Sequence, residues 1–358
     1  MDEMPETVER ERERESGSLK KDKYELIDIL KFIFAIFVVG IHTGIMNDSN
    51  STYEWYVLHI FFRIAVPFFF IASGFLYGKN YINNKQNLKG ITKNQIKRLI
   101  IPFVFWMLIS LPYIILTTKS DSTLDLVIEI IKKVIFYPWG ALWFILALIV
   151  SIIIEYWVLK KGKLKIAICI GVILYIICLL GNSYYFLLEG TPFQRIMDLY
   201  RTFCITTRNG IFEAFPIFTL GVYIATKEKN IEKISKNKII ICYIIALLIE
   251  IFEVTYIRTK EYRDDHSLFF TTIVIASLLL IFCIKFKRIR IKKLDTKILR
   301  NLSTSLYFMH SPIINYLSLL HIYIWGSYLL FTILVVAIII INLILYKINN
   351  KYINYIIK

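Results

Sequence analysis

Apolar residues run along this chain in blocks separated by short polar or charged connections. A helix that crosses a bilayer needs about 20 mostly apolar residues, and a window of that length predicts ten membrane-spanning helices. Because unpaired backbone amides cannot face lipid, and because a membrane barrel would show short alternating strands instead, the fold class is predicted to be an all-α bundle. The predicted spans are Glu25–Met46, Tyr56–Tyr77, Arg98–Thr118, Trp139–Leu159, Leu164–Gly181, Ile211–Thr226, Lys238–Ile257, Leu268–Ile284, Leu302–His321 and Trp325–Tyr346.

Composition supports an integral membrane protein and argues against a set of soluble domains. Of the 358 residues 57% are apolar, compared with roughly 45–50% in soluble domains. The five cysteines are scattered singly without metal-ligand or disulfide spacing, so no metal is predicted. A net charge of +16 in a soluble chain would suggest nucleic acid, but in a membrane protein it reports orientation, and no nucleic-acid partner is expected.

The distribution of positive charge predicts which ends of the chain face the cytoplasm. Roughly three quarters of the 43 lysines and arginines lie in the N-terminal segment, in every second connection and in the C-terminal tail. By the positive-inside rule, both termini are predicted to be cytoplasmic. The predicted organisation is a charged arm over residues 1–24, a transmembrane domain over 25–346 and a tail over 347–358. Outside the membrane, Leu124–Tyr137 is predicted to be an interfacial amphipathic helix, and the long connection Asn182–Asn209 a lid.

Beyond Glu25 at its start, the first span carries three ionisable side chains: Asp28, Lys31 and His42. Each costs at least ~2.5–3.5 kcal/mol in the hydrocarbon, so each is expected to have an interaction partner or a functional role. Asp28 and Lys31 are spaced to pair on one helix face. His42 lies on nearly the same face, about 20° away and roughly 16 Å further along the helix. A purely structural alternative is equally consistent with this spacing. In it, Lys31 reaches the inner headgroups and His42 forms a hydrogen bond with a neighbouring helix.

Further candidate residues recur in later spans. Arg63 is predicted to face the bundle interior near the level of His42, although it could instead reach outward to the headgroups. Lys97 and Arg98 form a basic group at the inner end of the third span that suits phosphates, or a simple positive-inside anchor. The remaining polar candidates are Asp28, Ser73 beside the packing residue Gly74, Trp143, Arg208, Asn209, Glu253 and the mid-membrane His310.

An ordered set of motifs resembles a known family. Asp28-x-x-Lys31 precedes His42 by eleven residues, and VPFFFIASGF, KRLIIP, LWFILAL, FPIFTLGV and YFMHSP follow. This series is similar to that of the acyltransferase-3 membrane proteins over roughly Tyr24–Tyr346. RIAVPFFF and TRNGIF especially resemble the membrane domain of vancomycin-resistance serine racemases. Two positions depart from the family pattern, because lysine replaces the usual arginine at position 31 and the paired-arginine motif appears as Gln95 and Arg98.

The resemblance implies an O-acyltransferase that uses cytoplasmic acyl-coenzyme A, with acetyl favoured, and a hydroxyl of an extracytoplasmic envelope acceptor such as a glycan. Its implied site has His42 as general base or acyl carrier and Arg63 at the developing oxyanion. Lys31, Lys97 and Arg98 would hold the coenzyme A phosphates. The alternative is a carrier for a small polar solute such as L-serine, with Arg208 recognising a carboxylate. The resemblance also implies a bacterial plasma membrane, so the bilayer is an expected partner in either case, and a homodimer is compatible with the sequence.

Overall fold

The structure is a computed structural model that describes residues 24–46, 51–138, 140–260, 267–289, 295–322 and 326–348. All regular structure in these ranges is helical. Most of the predicted N-terminal arm, most of the predicted tail and the predicted span ends Trp139 and Trp325 lie outside the described residues. The helices are α1 Glu25–Thr43, α2 Thr52–Tyr56, α3 Ala65–Asn83, α4 Leu88–Thr117, α5 Thr123–Ile131, α6 Leu142–Lys160, α7 Leu164–Leu180, α8 Pro192–Cys204, α9 Phe215–Thr226, α10 Glu228–Ile231, α11 Lys236–Arg258, α12 Phe270–Lys285, α13 Thr296–Leu319 and α14 Ser327–Ile348.

Helix length and composition confirm the class of fold. In the described part of the chain, six helical segments are long and apolar enough to cross a membrane. Three shorter apolar segments, Leu164–Leu180, Gly210–Thr226 and Phe270–Lys285, coincide with other predicted spans. The ninth predicted span corresponds to α13, which carries several polar side chains, including the buried Asn301 and His310. The count of ten spans and the cytoplasmic location of both termini stay predictions.

The centre of the bundle is the crossing of α3 and α9, which glycines bring to backbone contact. A Cβ placed on Gly74 would lie 2.0 Å from the Phe218 carbonyl oxygen, and one on Gly221 would lie 2.1 Å from the Ile71 carbonyl oxygen. No larger residue fits at either position without separating the helices, since such contacts are far inside van der Waals distance. The predicted packing role of Gly74 is confirmed, and the crossing gives the bundle a fixed central pair.

Two amphipathic helices lie in the connections predicted to be external. The predicted helix over Leu124–Tyr137 is present as α5 and a π-helical turn, Lys132–Phe136. The connection Asn182–Asn209 contains α8, which exposes Phe193, Leu199 and Phe203 on one side and packs against that π-helical turn. Pro192 at its first turn favours the helix start. Exposed apolar stripes of this kind suit helices that lie in the interface plane.

Paired charges hold together the end of the bundle that is predicted to be cytoplasmic. The Glu228 carboxylate is 6% exposed and receives hydrogen bonds from the Tyr24 hydroxyl and Lys287 at 2.8 Å, and forms a further ion pair with Lys79. Lys287 also pairs with Glu232 at 2.6 Å. Burial alone would raise the pKa of this carboxyl, but the three hydrogen bonds outweigh burial and hold the pKa of Glu228 below its usual value. We call this set the Glu228 cluster.

Candidate active site

Two cavities meet at the side chain of His42, near the end of α1. The first has a volume of about 300 Å³, and its lining includes Arg63 and Arg208. The second has a volume of about 480 Å³, and its lining includes Lys133 and Asn315. His42 is an exposed side chain that contributes to both linings. The imidazole is therefore accessible from two sides.

Three π-helical turns in the described residues border the first cavity. Arg63 directly follows the turn Val57–Phe62, and Tyr137 directly follows the turn Lys132–Phe136. Arg208 lies two residues before the turn Gly210–Ala214. A π-helical turn is rare and is found mainly at functional sites, because the widened turn redirects the side chains beside it. The hydrophobic pattern of the sequence does not reveal these turns, since each lies within or beside a segment of ordinary helical composition.

Arg208 is fixed on two sides. Its guanidinium group lies 3.4 Å from a carboxylate oxygen of Glu213 and 4.7 Å from the centre of the Trp143 ring. Trp143 in turn stacks on Tyr137 with ring centroids 6.1 Å apart. Glu213 is fully buried, so the pair is shielded from water. Asn209 supports the same loop, because its side-chain oxygen accepts hydrogen bonds from the backbone N–H groups of the next turn.

The loop that closes the cavities is tied to α13. Gly140 has a φ of +64°, and a Cβ there would lie 2.0 Å from the Ser311 hydroxyl oxygen, so only glycine fits. The Tyr307 hydroxyl donates to the Ala141 carbonyl. On the opposite wall, Ile205 has a φ of +63°, a strained conformation for a β-branched residue. Strain of this kind persists only where the surrounding structure requires it, and here it borders the second cavity.

His310 on α13 is in ring contact with His42. The two ring centroids are 4.9 Å apart and the rings are inclined by 43°. His310 is fully buried, and its Nδ1 lies 2.7 Å from the Leu306 carbonyl oxygen. The structure thus brings together the two histidines that the sequence placed in separate spans.

Several predicted site residues converge on this region. His42, Arg63, Trp143 and Arg208 line the first cavity, and His310 lies directly behind His42. Asn209 orients the loop that carries Arg208 without lining either cavity. That these side chains lie close together could not be deduced from their spacing in the sequence, because they come from five separate helices and loops. Tyr137, Gly140, Tyr307 and Ser311 were not among the candidates, although LYFMHSP contained two of them.

Other predicted residues lie elsewhere. Asp28 forms two hydrogen bonds of 2.8 and 3.2 Å with Arg300, a partner on another helix that its spacing from Lys31 did not predict. A bidentate guanidinium on the neighbouring helix is a stronger partner for a carboxylate than a lysine on the same helix. Glu253 accepts hydrogen bonds from the backbone N–H groups of Phe270 and Thr271, and so caps the start of α12 rather than lining a cavity.

The predicted cofactor-binding side chains lie outside both cavities. Lys97 and Arg98 are exposed on α4, and neither they nor Lys31 line either cavity. On the face of α1 between Lys31 and His42, Phe34 and Ala35 are buried in the main hydrophobic core. Ser73 lies part-buried on α3 beside Gly74 and lines neither cavity. Within the described residues, no cluster of three or more histidine, cysteine or acidic side chains is arranged to hold a metal ion.

Apolar spanning helices around a polar, histidine-containing cavity define a membrane protein with an intramembrane chemical or binding site. The acyltransferase-3 family model, described as an acyltransferase domain, matches residues 24–347. This chain belongs to that family. No solved structure matches the chain.

Three relatives that match this chain are longer than it is. An amino-acid racemase of Enterococcus faecalis is 32% identical over 233 residues, which is 64% of this chain and 32% of that protein. A second amino-acid racemase of Enterococcus faecalis is 26% identical over 233 residues, covering 63% of this chain and 32% of the relative. A serine/alanine racemase of Enterococcus gallinarum is 27% identical over 252 residues, covering 68% and 34%. The matched region spans about a third of these relatives.

Proposed function

We propose that this chain is a membrane O-acyltransferase that moves an acyl group, with acetyl favoured, from cytoplasmic acyl-coenzyme A to a hydroxyl of an extracytoplasmic envelope acceptor. One observation carries the proposal. In a chain of the acyltransferase-3 family, an imidazole stands where two cavities meet, and two guanidinium groups share one of those cavities with it. A base and positive charge around one space are what acyl transfer to a hydroxyl requires.

In the proposed reaction, His42 removes the proton of the acceptor hydroxyl while the hydroxyl oxygen attacks the thioester carbonyl carbon. Arg63 stabilises the negative charge that develops on the carbonyl oxygen. The carbon–sulfur bond then breaks, and the departing coenzyme A thiolate takes the proton from His42, so the imidazole ends the cycle neutral. A covalent acyl-imidazole on His42 is the variant of this scheme in which the acyl group leaves coenzyme A before the acceptor binds.

The acceptor is proposed to bind beside Arg208. Its guanidinium group is held in place by Glu213 and Trp143, so it can recognise an acceptor without reorganising. A cavity of about 300 Å³ is at the small end of the usual range for ligand sites, which suits one sugar or amino-acid unit of a larger envelope molecule.

The donor is proposed to reach His42 from the opposite end of α1. Lys31, Lys97 and Arg98 provide positive charge for the coenzyme A phosphates at the predicted cytoplasmic mouth. The roughly 16 Å of helix between Lys31 and His42 matches an extended pantetheine arm. Because Phe34 and Ala35 are packed in the core along this face, the arm can enter only if neighbouring helices separate locally.

The experiment compares the same substitution at two histidines. Purified wild type, His42→Asn and His321→Asn are incubated with labelled acetyl-coenzyme A and a cell-envelope fraction, and both free thiol and labelled envelope material are measured. His42→Asn is expected to lower turnover by about 10²–10⁴-fold, because asparagine cannot act as a base. His321 is exposed beyond the end of α13, so His321→Asn is expected to match wild type. Near-normal turnover of His42→Asn would overturn the assignment.

A carrier for L-serine is the second candidate, because the named relatives are racemases of amino acids, one of them a serine/alanine racemase. Here the first cavity would hold the solute, with Arg208 on its carboxylate. The discriminating measurement is counterflow of labelled L-serine in proteoliposomes, with labelled L-lysine as control. Saturable serine exchange without acetyl-coenzyme A turnover would replace the transferase proposal by the carrier.

A further inference from the structure

The hydrogen bond of His310 to its own helix determines which of its nitrogens is free to act. A backbone carbonyl only accepts hydrogen bonds, so the 2.7 Å contact with the Leu306 carbonyl places a proton on His310 Nδ1. In the neutral ring the other nitrogen, Nε2, then carries a lone pair and is a hydrogen-bond acceptor. The backbone of α13 thus fixes the tautomer of this residue.

That acceptor has no protein partner in the described residues. His310 is 0% exposed, and Nε2 is buried without a hydrogen-bond partner. Leaving a buried polar group unsatisfied costs about 1–3 kcal/mol, so such groups are rare and call for a reason. Packing alone would be served better by an apolar side chain of similar size, such as phenylalanine. Because the fold keeps this unsatisfied acceptor in spite of its free-energy cost, Nε2 is expected to accept a hydrogen bond when the protein functions.

The ring next to His310 is His42, with its centroid 4.9 Å away. Rotation about the χ2 torsion of histidine is broad, so a modest rotation of the His42 ring directs one of its N–H groups toward Nε2. Contacts of α13 hold His310 in position. Tyr307, one turn earlier on α13, donates to the Ala141 carbonyl and anchors this part of the helix to the loop that closes the cavity.

We propose that His310 is a positioning residue for His42: its Nε2 accepts a hydrogen bond from one His42 nitrogen, so that the lone pair of the other faces the acceptor hydroxyl. The inference rests on the proposed role of His42 as base. When His42 takes the hydroxyl proton, the resulting imidazolium donates more strongly to Nε2, because a hydrogen bond from a charged donor is stronger. His310 gains no proton, and the proton on His42 passes to the thiolate as described above.

The test uses three substitutions that separate the two nitrogens. The side-chain oxygen of glutamine reaches the position of Nε2, asparagine reproduces only the Nδ1 side of the ring, and phenylalanine keeps the shape alone. For His310→Phe and His310→Asn we expect kcat to fall by about 10- to 100-fold with KM nearly unchanged, as for loss of other orienting partners. His310→Gln is expected to recover most of the kcat. Equal kcat for the glutamine and asparagine variants, or wild-type kcat for His310→Phe, would overturn the proposal.

A second readout does not depend on turnover. The chain has five histidines, so ¹⁵N-labelled histidine gives few ring signals in the full-length protein in detergent. We expect a single dominant tautomer for neutral His42 in wild type and in His310→Gln, and a mixture of tautomers in His310→Phe. An unchanged His42 tautomer in a folded His310→Phe protein would show that His310 does not position His42. If instead His42→Asn keeps full turnover, the proposed function fails, while the ring signals still report whether the two histidines are coupled.

Discussion

The first cavity and the Glu228 cluster both contain charged side chains within the bundle, but the surroundings of those charges differ. In the Glu228 cluster, one buried carboxylate is saturated by Tyr24, Lys79 and Lys287. In the cavity, His42, Arg63 and Arg208 face a common space, and the Nε2 atom of neighbouring His310 is left without a partner in the described residues. The first arrangement joins helices, whereas the second keeps polar groups available to a ligand.

This difference separates structural from functional charge in a protein where both are expensive. A carboxylate that receives three hydrogen bonds has little capacity left for a substrate, so its contribution is measured as stability. Polar groups that line a cavity can contact a ligand, so their contribution is measured as binding or rate. Arg208 lies between these cases, because it pairs with Glu213 and also lines the cavity.

The largest effect on stability is expected from breaking the Arg208–Glu213 pair. Arg208→Ala leaves the fully buried Glu213 carboxylate without its cation, which is expected to cost about 3–5 kcal/mol of unfolding free energy. Adding Glu213→Gln removes the uncompensated charge and is expected to recover much of the stability but not acetyl transfer. Denaturation in detergent and turnover are measured for both variants.

Arg195→Ala is the matched control for this pair, because Arg195 is an exposed arginine on α8 outside both cavities. We expect its stability to lie within about 0.5 kcal/mol of wild type. If the double variant is no more stable than Arg208→Ala, the pair does not stabilise the fold. If the double variant also regains full turnover, Arg208 has no role in the cavity.

An intermediate effect is expected for Glu228→Gln, which keeps the shape of the side chain and removes its charge. Hydrogen bonds to charged groups contribute about 1.5–3 kcal/mol, so unfolding free energy at neutral pH should fall by about this amount. The pKa of Glu228 is lower in the folded protein than in the unfolded chain, so the stabilisation is present above the ordinary carboxyl pKa. It is lost as pH falls through the folded value.

The wild-type and Glu228→Gln denaturation curves should therefore converge in acid and separate toward neutral pH. Turnover per folded molecule should not change, since Glu228 lines neither cavity. Glu129→Gln, which breaks a partly exposed pair with Lys132, is the control and should change stability by less than about 1 kcal/mol. A pH-independent difference between wild type and Glu228→Gln would show that the charge of Glu228 is not what stabilises this end of the bundle.

Most of the fold could be predicted from the sequence, because burial in lipid imposes a simple rule on helix length and composition. The site was partly predictable for the same reason. His42, Arg63 and His310 stand out because charged or titratable groups are costly within apolar segments. The rule identifies residues one at a time, and it does not say which of them meet.

The features that the sequence did not reveal depend on backbone geometry and on which of several possible partners a side chain contacts. The π-helical turns beside Arg63, Tyr137 and Arg208 carry no compositional signal. Asp28 could pair with Lys31 by local spacing, but Arg300, 272 residues away, offers the better geometry. Gly140 became informative only when its positive φ and its closeness to Ser311 were known.

The smallest effect is expected at the predicted cytoplasmic mouth, where Lys97 and Arg98 are exposed. Lys97→Ala and Arg98→Ala should leave stability within about 0.5 kcal/mol of wild type. Each should raise the KM for acetyl-coenzyme A by roughly two- to fivefold with kcat unchanged, as for an exposed ion pair worth up to about 1 kcal/mol. Lys89→Ala, an exposed lysine two turns earlier on α4, is the control and should keep the wild-type KM. Because exposed charges are screened, the KM difference should disappear in about 1 M salt. A KM that does not change in either variant at low salt would exclude these two residues from coenzyme A binding, while leaving the His42 cavity as the proposed site of transfer.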